Sequence, residues 1–266
     1  MPGEIGQGKK SVAVITIGLH LFLIALVSCT VSLYFLKLNP DHILLFDDSY
    51  ITLRFASNFF RYGGITYNGS SYFVGATSPL HIVLVAVLGQ LLNLETAALA
   101  VGILFFTLSC LLVYLWSLRI YNNKQTALLA GLMMSISNWL VADALNGLET
   151  TSFIFFSLLT FYLFYTYPAR IFYIIALFLS VLTRPEGWFI ACALFSWQAF
   201  QYCTQKDIKI LQHLSVAIIF FMLLIIPYVL LLFSYTGSLL PSTVFSKALF
   251  FSSGAKILLP DRQVMS

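Results

Sequence analysis

Asp47 and Asp48 stand side by side about ten residues past a long apolar run that ends near Leu36. Two adjacent carboxylates can coordinate a divalent cation, or one can act as a general base while a metal or another cation keeps its partner ionised. The same residues also suit a helix start, where Asp accepts backbone N–H bonds and complements the helix dipole, although one aspartate is enough to cap. The other charged side chains with chemical potential sit in short polar turns: Glu149 in Asn146-Gly147-Leu148-Glu149-Thr150, Arg184 and Glu186 in Thr183-Arg184-Pro185-Glu186-Gly187, and Lys247 in Pro241-Ser242-Thr243-Val244-Phe245-Ser246-Lys247.

The elements that must position these residues are apolar. The chain of 266 residues is 60% hydrophobic and 9% charged, with mean hydropathy +0.92, against roughly 25% charged residues in a soluble domain. Water is not its main solvent. The net charge of +4 comes from Lys and Arg scattered at the ends of apolar runs, which forms no basic patch and excludes nucleic-acid binding as the reading of that charge. Cys29, Cys110, Cys192 and Cys203 fall inside apolar runs without metal-ligand spacing, so they imply neither a disulfide framework nor a zinc site.

Apolar runs recur at about 12–36, 80–92, 97–118, 126–142, 151–167, 171–183, 187–203 and 211–234. The first follows Lys9 and Lys10 and contains Leu26-Val27-Ser28-Cys29, which matches a lipoprotein cleavage pattern, but it continues past Cys29 to spanning length and reads as an uncleaved span. The 80–92 run is shorter than the roughly 20 residues a span needs and reads as a re-entrant or interfacial segment. That leaves about seven spans. With the N-terminus cytoplasmic, Arg119 with Lys124, Arg170, and Lys206 with Lys209 all fall on the cytoplasmic side, as the positive-inside rule asks. Every polar turn named above then faces outward.

Between the first and second runs, Ile51, Phe55, Phe59 and Tyr62 share one helical stripe and Tyr50, Arg54, Asn58 and Arg61 the adjacent one, which predicts an amphipathic helix in the membrane interface. Gly63-Gly64 ends it, and a structured outer loop follows to Ser78. The expected fold is therefore all-α: a polytopic helix bundle with an interfacial helix in its first outer loop, forming a single module over residues 1–266. His20 and His213 stand alone and read as packing or interhelical hydrogen-bond residues, and Asn68-Gly69-Ser70 is an isolated glycosylation triplet of little weight.

The run from Asp47 to Asn58, with Gly64-Ile65-Thr66-Tyr67-Asn68 and Val74-Gly75-Ala76-Thr77-Ser78-Pro79-Leu80, resembles the first outer loop of the GT-C class of membrane glycosyltransferases, nearest to bacterial arabinofuranosyltransferase-like and mannosyltransferase-like members. The turns around Glu149 and Arg184 and the segment Leu240–Ala248 agree in order with the same class. The resemblance implies an acidic residue of the first outer loop as catalytic base, a polyprenyl-phosphate sugar as donor, and a glycan, lipid or protein acceptor. It assigns Asp47 as the preferred base and Asp48 as its acidic companion, either as a ligand to a divalent cation or as an acceptor-binding group.

Arg184 and Lys247 are then the cations for the donor phosphate, since guanidinium grips phosphate bidentately and ammonium acts as a point charge. Glu149 would meet sugar hydroxyls, and Glu186 would bind substrate or pair with Arg184. The bacterial character of the match points to an inner membrane with the site facing the periplasm. Family members usually continue with further spans, so a truncated, non-catalytic member is a competing expectation; a secondary transporter is another, disfavoured by the lack of ionisable residues at the centres of the runs.

Overall fold

The computed structural model describes residues 3–38, 45, 47–69, 72, 76–167 and 171–237, with backbone alone for residues 3–13. The described residues form ten helices and an isolated antiparallel bridge between Thr66 and Tyr72. In chain order the helices are α1 (Gly3–Leu38), α2 (Asp47–Tyr62), α3 (Pro79–Leu88), α4 (Leu94–Tyr121), α5 (Lys124–Ser135), α6 (Asn138–Leu145), α7 (Thr150–Thr166), α8 (Phe172–Thr183), α9 (Gly187–Gln205) and α10 (Ile208–Thr236). The all-helical expectation holds for these residues.

Boundaries follow local chemistry. Asn93 caps α4 by accepting from the Thr96 N–H, Asn123 caps α5 through the Gln125 and Thr126 N–H groups, and Asp207 caps α10 through the Lys209 N–H. Gly63 and Gly237 close α2 and α10 in the left-handed region, which glycine enters without steric cost.

Among the described residues, three helices are individually long and apolar enough to cross a membrane: α1 over Val14–Leu38, α4 and α10. The run at 126–142 differs from the expected continuous span. It is broken into α5 and α6, which meet at 54° and would make a fourth span if counted together. Ser135 Oγ donates to the Gly131 carbonyl at 2.8 Å, a back-bond that weakens and bends a helix, and Ser137 is extended, so the chain restarts at Asn138.

At the centre, α4 packs on α1, α5 and α6 through Phe106, Cys110 and Tyr114, and on α2, α3 and α7 through Ala97, Ala98, Val101 and Phe105. Gly102 permits this: a Cβ there would collide with the Ala144 carbonyl of α6. Ser28 Oγ of α1 donates to Thr107 Oγ1 of α4 at 3.1 Å, a polar tie between apolar helices. A second core joins α8, α9 and α10 around Ile174, Leu177, Ala217 and Phe221. Val14, Leu19 and Phe22 of α1 and Ile219, Leu223 and Leu230 of α10 remain exposed, apolar faces that hydrocarbon would cover.

In α2 the buried stripe is rotated from the expected one. Thr52, Leu53, Phe55, Ala56 and Asn58 face inward, while Ile51 and Tyr62 are exposed. Asn58 goes inside because its Nδ2 donates to the Thr66 and Tyr67 carbonyls, tying the outer loop back onto the helix.

Candidate functional site

Arg184 owes its position to the proline that follows it. A residue before proline is driven out of the α region, and α8 accordingly ends at Thr183 with Arg184 extended at φ −150°, ψ 144°. The Thr183 hydroxyl donates to the Ser180 carbonyl at 2.7 Å, and the chain turns at once into α9. That turn folds so tightly that a Cβ on Gly187 would lie 2.6 Å from the Val181 nitrogen and 2.8 Å from the Ser180 carbonyl carbon. Glycine is obligatory there.

The turn from Asn146 to Thr150 is built with equal economy of space. Asn146 Oδ1 accepts the Leu148 N–H at 2.8 Å and its Nδ2 donates to Asp143 Oδ1 at 3.2 Å. Gly147 adopts φ +76°, and a Cβ on it would meet the side chains of Leu45 and Ser49, so the turn lies against the start of α2. His81, fully buried in α3, faces the Gly147 carbonyl through Nε2 at 3.2 Å. Glu149, next in the turn, approaches Arg184 with Oε1 3.3 Å from Nε.

These turns and α2 enclose a polar cavity of about 230 Å³, lined among others by Asp48, Thr52, Ser78, Leu148, Glu149 and Arg184. Three charged residues from three separate motifs thus share one wall. Asp47, exposed in the same first helical turn as Asp48, is not among the lining residues. Successive helix positions project in different directions, which separates the pair. Both carboxylates also complement the N-terminal end of the helix dipole.

Glu186 lies 3.7 Å from Arg184 Nε and is half exposed, a pairing rather than a wall position. Lys247, with the whole Leu240–Ala248 segment, lies outside the described residues.

The electrostatics of the site couple these groups. Burial pushes the Glu149 carboxyl above the ordinary glutamate range; its own backbone N–H and Arg184 pull it back, and the charges of Glu186 and Asp48 add to the rise. Arg184 is held over the Phe153 ring, 5.9 Å from its centroid. His81, in a helix too short to span, is pushed down to about 4 by burial, with the Gly147 bond opposing.

Two participants were not singled out from sequence. Asp143 lies in the last turn of α6 within electrostatic reach of Arg184, and His81 braces the turn that carries Glu149. The only sequence signal for Asp143 is a lone acid three residues before Asn146, and for His81 a lone imidazole between Pro79 and an apolar run.

No group of three or more His, Cys, Asp or Glu side chains that could hold a metal occurs among the described residues. The Asp47–Asp48 pair offers two carboxylates at most, too few for a protein-built cation cage.

A larger apolar cavity of about 550 Å³ borders other residues of the same two helices, Phe59 of α2 and Leu80 and Val83 of α3, together with Phe178, Leu224 and Tyr228 among others. Helices α2 and α3 therefore contribute to both a charged chamber and an apolar groove. Comparison of the sequence and the structure with known protein families, curated proteins and solved structures finds no match in any of the three.

Proposed function

We propose that the chain is a membrane glycosyltransferase of the GT-C type, with about seven spans and α2 in the outer interface, transferring a sugar from a polyprenyl-phosphate donor to a hydroxyl-bearing acceptor. The observation that carries this is the meeting of Asp48, Glu149 and Arg184 on one small polar cavity, with an apolar groove drawing on the same helices α2 and α3. A donor of this class needs both environments at once: a phosphate and sugar in the chamber, a hydrocarbon tail in the groove.

In the proposed reaction the carboxylate of the Asp47–Asp48 pair accepts the acceptor hydroxyl proton. The hydroxyl oxygen bonds to the anomeric carbon, and the bond from that carbon to the phosphate oxygen breaks, its electron pair leaving with the lipid phosphate. One in-line displacement inverts the anomeric configuration. Asp48 is the better placed base, since it lines the cavity, with Asp47 as its acidic companion. Arg184 receives the negative charge on the departing phosphate, and Lys247 is assigned the same duty. Glu149, holding its proton to higher pH than an ordinary glutamate, can donate to or accept from a sugar hydroxyl. The outer face of a bacterial inner membrane is the proposed setting.

The bent α5–α6 pair, with the partly buried Asp143 near its end, is the one feature that favours a secondary transporter instead, since broken helices that carry ionisable groups serve ion coupling. Sugar transfer from purified polyprenyl-phosphate sugars, abolished by Asp48→Asn in a chain that still folds, supports the enzyme. Undiminished transfer in both Asp47→Asn and Asp48→Asn, or substrate uptake into vesicles without transfer, rejects it.

A further inference from the structure

His81, in the first turn of α3, is fully buried and faces the Gly147 carbonyl, 66 residues further along the chain, at 3.2 Å. A carbonyl oxygen only accepts, so the imidazole carries its proton on Nε2 and donates it. Nδ1 is then the bare nitrogen, sealed from solvent and without a hydrogen-bond partner. A second proton there would put an unpaired donor and a charge in a buried place, and burial accordingly pushes the group down to about 4. The ring is held as one neutral tautomer, with its N–H on the Gly147 turn.

That bond joins the walls of the charged chamber. Ser78 and Ile82, on either side of His81, line the chamber from the start of α3, and Leu148 and Glu149, directly after Gly147, line it from the α6–α7 turn. The same turn lies against Ser49 of α2, whose neighbour Asp48 lines a third side. Gly147 sits at φ +76°, and glycine leaves the backbone free to swing there unless its carbonyl is held. Two residues on, Glu149 reaches Arg184 Nε at 3.3 Å. Arg184 keeps supports of its own, the extended backbone before Pro185 and the Phe153 ring, so a slack Gly147 turn displaces Glu149 more than Arg184.

We propose that His81 is a positioning residue of the chamber: its Nε2–H fixes the Gly147 carbonyl and, through it, the placement of Glu149 against Arg184 in the cavity that Asp48 shares. The kinetic consequence rests on the glycosyltransferase reading; the geometric one does not. What counts is the reach of the donor, not polarity at position 81. Gln carries an amide N–H as many bonds from Cα as the histidine Nε2, whereas the amide of Asn falls one bond short.

The test compares the purified full chain with His81→Gln, His81→Asn and His81→Phe, the last filling the space of the ring without a donor. With a polyprenyl-phosphate sugar and an acceptor, the Asn and Phe variants should lower kcat on the order of tenfold at unchanged donor KM, because a misplaced group costs turnover and not donor binding. His81→Gln should restore kcat to within about threefold of the parent. Independently of activity, Leu148→Cys in a chain freed of its four native cysteines should react with a small thiol reagent at least about threefold faster alongside His81→Asn or His81→Phe than alongside His81 or His81→Gln. Equal labelling in all four chains, a Gln variant no better than the Asn variant, or a loss confined to KM overturns the proposal. Absence of transfer in the parent counts against the glycosyltransferase reading instead, and labelling then decides the role of His81 by itself. If the Asn variant does not fold, the Phe variant against Gln gives the same comparison.

Discussion

At the turn that carries Glu149, two buried groups titrate in opposite senses. The Glu149 carboxyl is raised above 4.5, so its stabilising contribution is present at low pH and lost as pH rises through the raised value. His81 is lowered from 6.5 to about 4, so its contribution is present above 6.5 and lost as pH falls toward 4. Where the windows overlap the two trends cancel in part, and single substitutions separate them. In Glu149→Gln, thermal stability should climb more steeply with pH between about 4 and 6.5 than in the parent chain; in His81→Asn the climb over that interval should be lost, leaving the fall that Glu149 imposes as pH rises above 4.5. Unfolding followed in detergent across that range gives the comparison, and unchanged profiles in both variants would count against the assigned burial.

The two residues also mark where sequence reading stopped. Glu149 and Arg184 were legible because each stands in a short polar segment between apolar runs, which loop charge puts on one side and which resembles a known class in order. His81 and Asp143 were not, because a single polar residue in an apolar stretch carries no periodicity; only tertiary contact gives it a partner.

Among the elements, the α8–α9 turn is the most tightly constrained. Gly187→Ala inserts a methyl group 2.6 to 2.8 Å from backbone atoms that cannot rotate away, and overpacking of this kind costs about 1–3 kcal/mol. Gly18 of α1 has nothing within 4 Å of its would-be Cβ, and Gly18→Ala should gain up to about 1 kcal/mol from helix propensity. Denaturation of the two variants side by side checks the contrast; a Gly187→Ala chain as stable as Gly18→Ala would show that the turn is not so close.

Element identity was largely readable from apolar length and glycine punctuation, but element shape was not. Hydropathy cannot register the Ser135 back-bond that breaks α5 from α6. Nor does a stripe of apolar residues anticipate that Asn58 turns inward, since what draws it there is a pair of carbonyls in a loop eight and nine residues away.

For the whole molecule, length and topology pull in different directions. By length and composition three of the described helices could span, whereas the expectation drawn from loop charges is about seven crossings. At 1.5 Å per residue α7 reaches about 25 Å and α8 about 18 Å, short of a hydrocarbon core of roughly 30 Å. If α7 and α8 cross, the bilayer thins around them or their ends are completed by polar turns at the interface.

The seven-span arrangement predicts that cysteines introduced singly at Asn123 and at Leu148, in a chain freed of its four native cysteines, react with a membrane-impermeant thiol reagent from opposite sides. Labelling of both from one side would remove the crossing between them, and labelling of Leu148 from the cytoplasmic side would remove the outward orientation of the site. The charged chamber and the apolar groove both draw on α2 and α3 whatever the number of spans, so the chemistry proposed for them can be examined separately.

The decisive experiment is incubation of the purified full chain with a panel of polyprenyl-phosphate sugars and hydroxyl acceptors, following free polyprenyl phosphate and the anomeric configuration of the product. Glycosyl transfer predicts release of one lipid phosphate per sugar transferred, an inverted linkage, and loss of both signals in Asp48→Asn. Intact donor across the whole panel from a folded chain, or release that persists equally in Asp47→Asn and Asp48→Asn, would refute it.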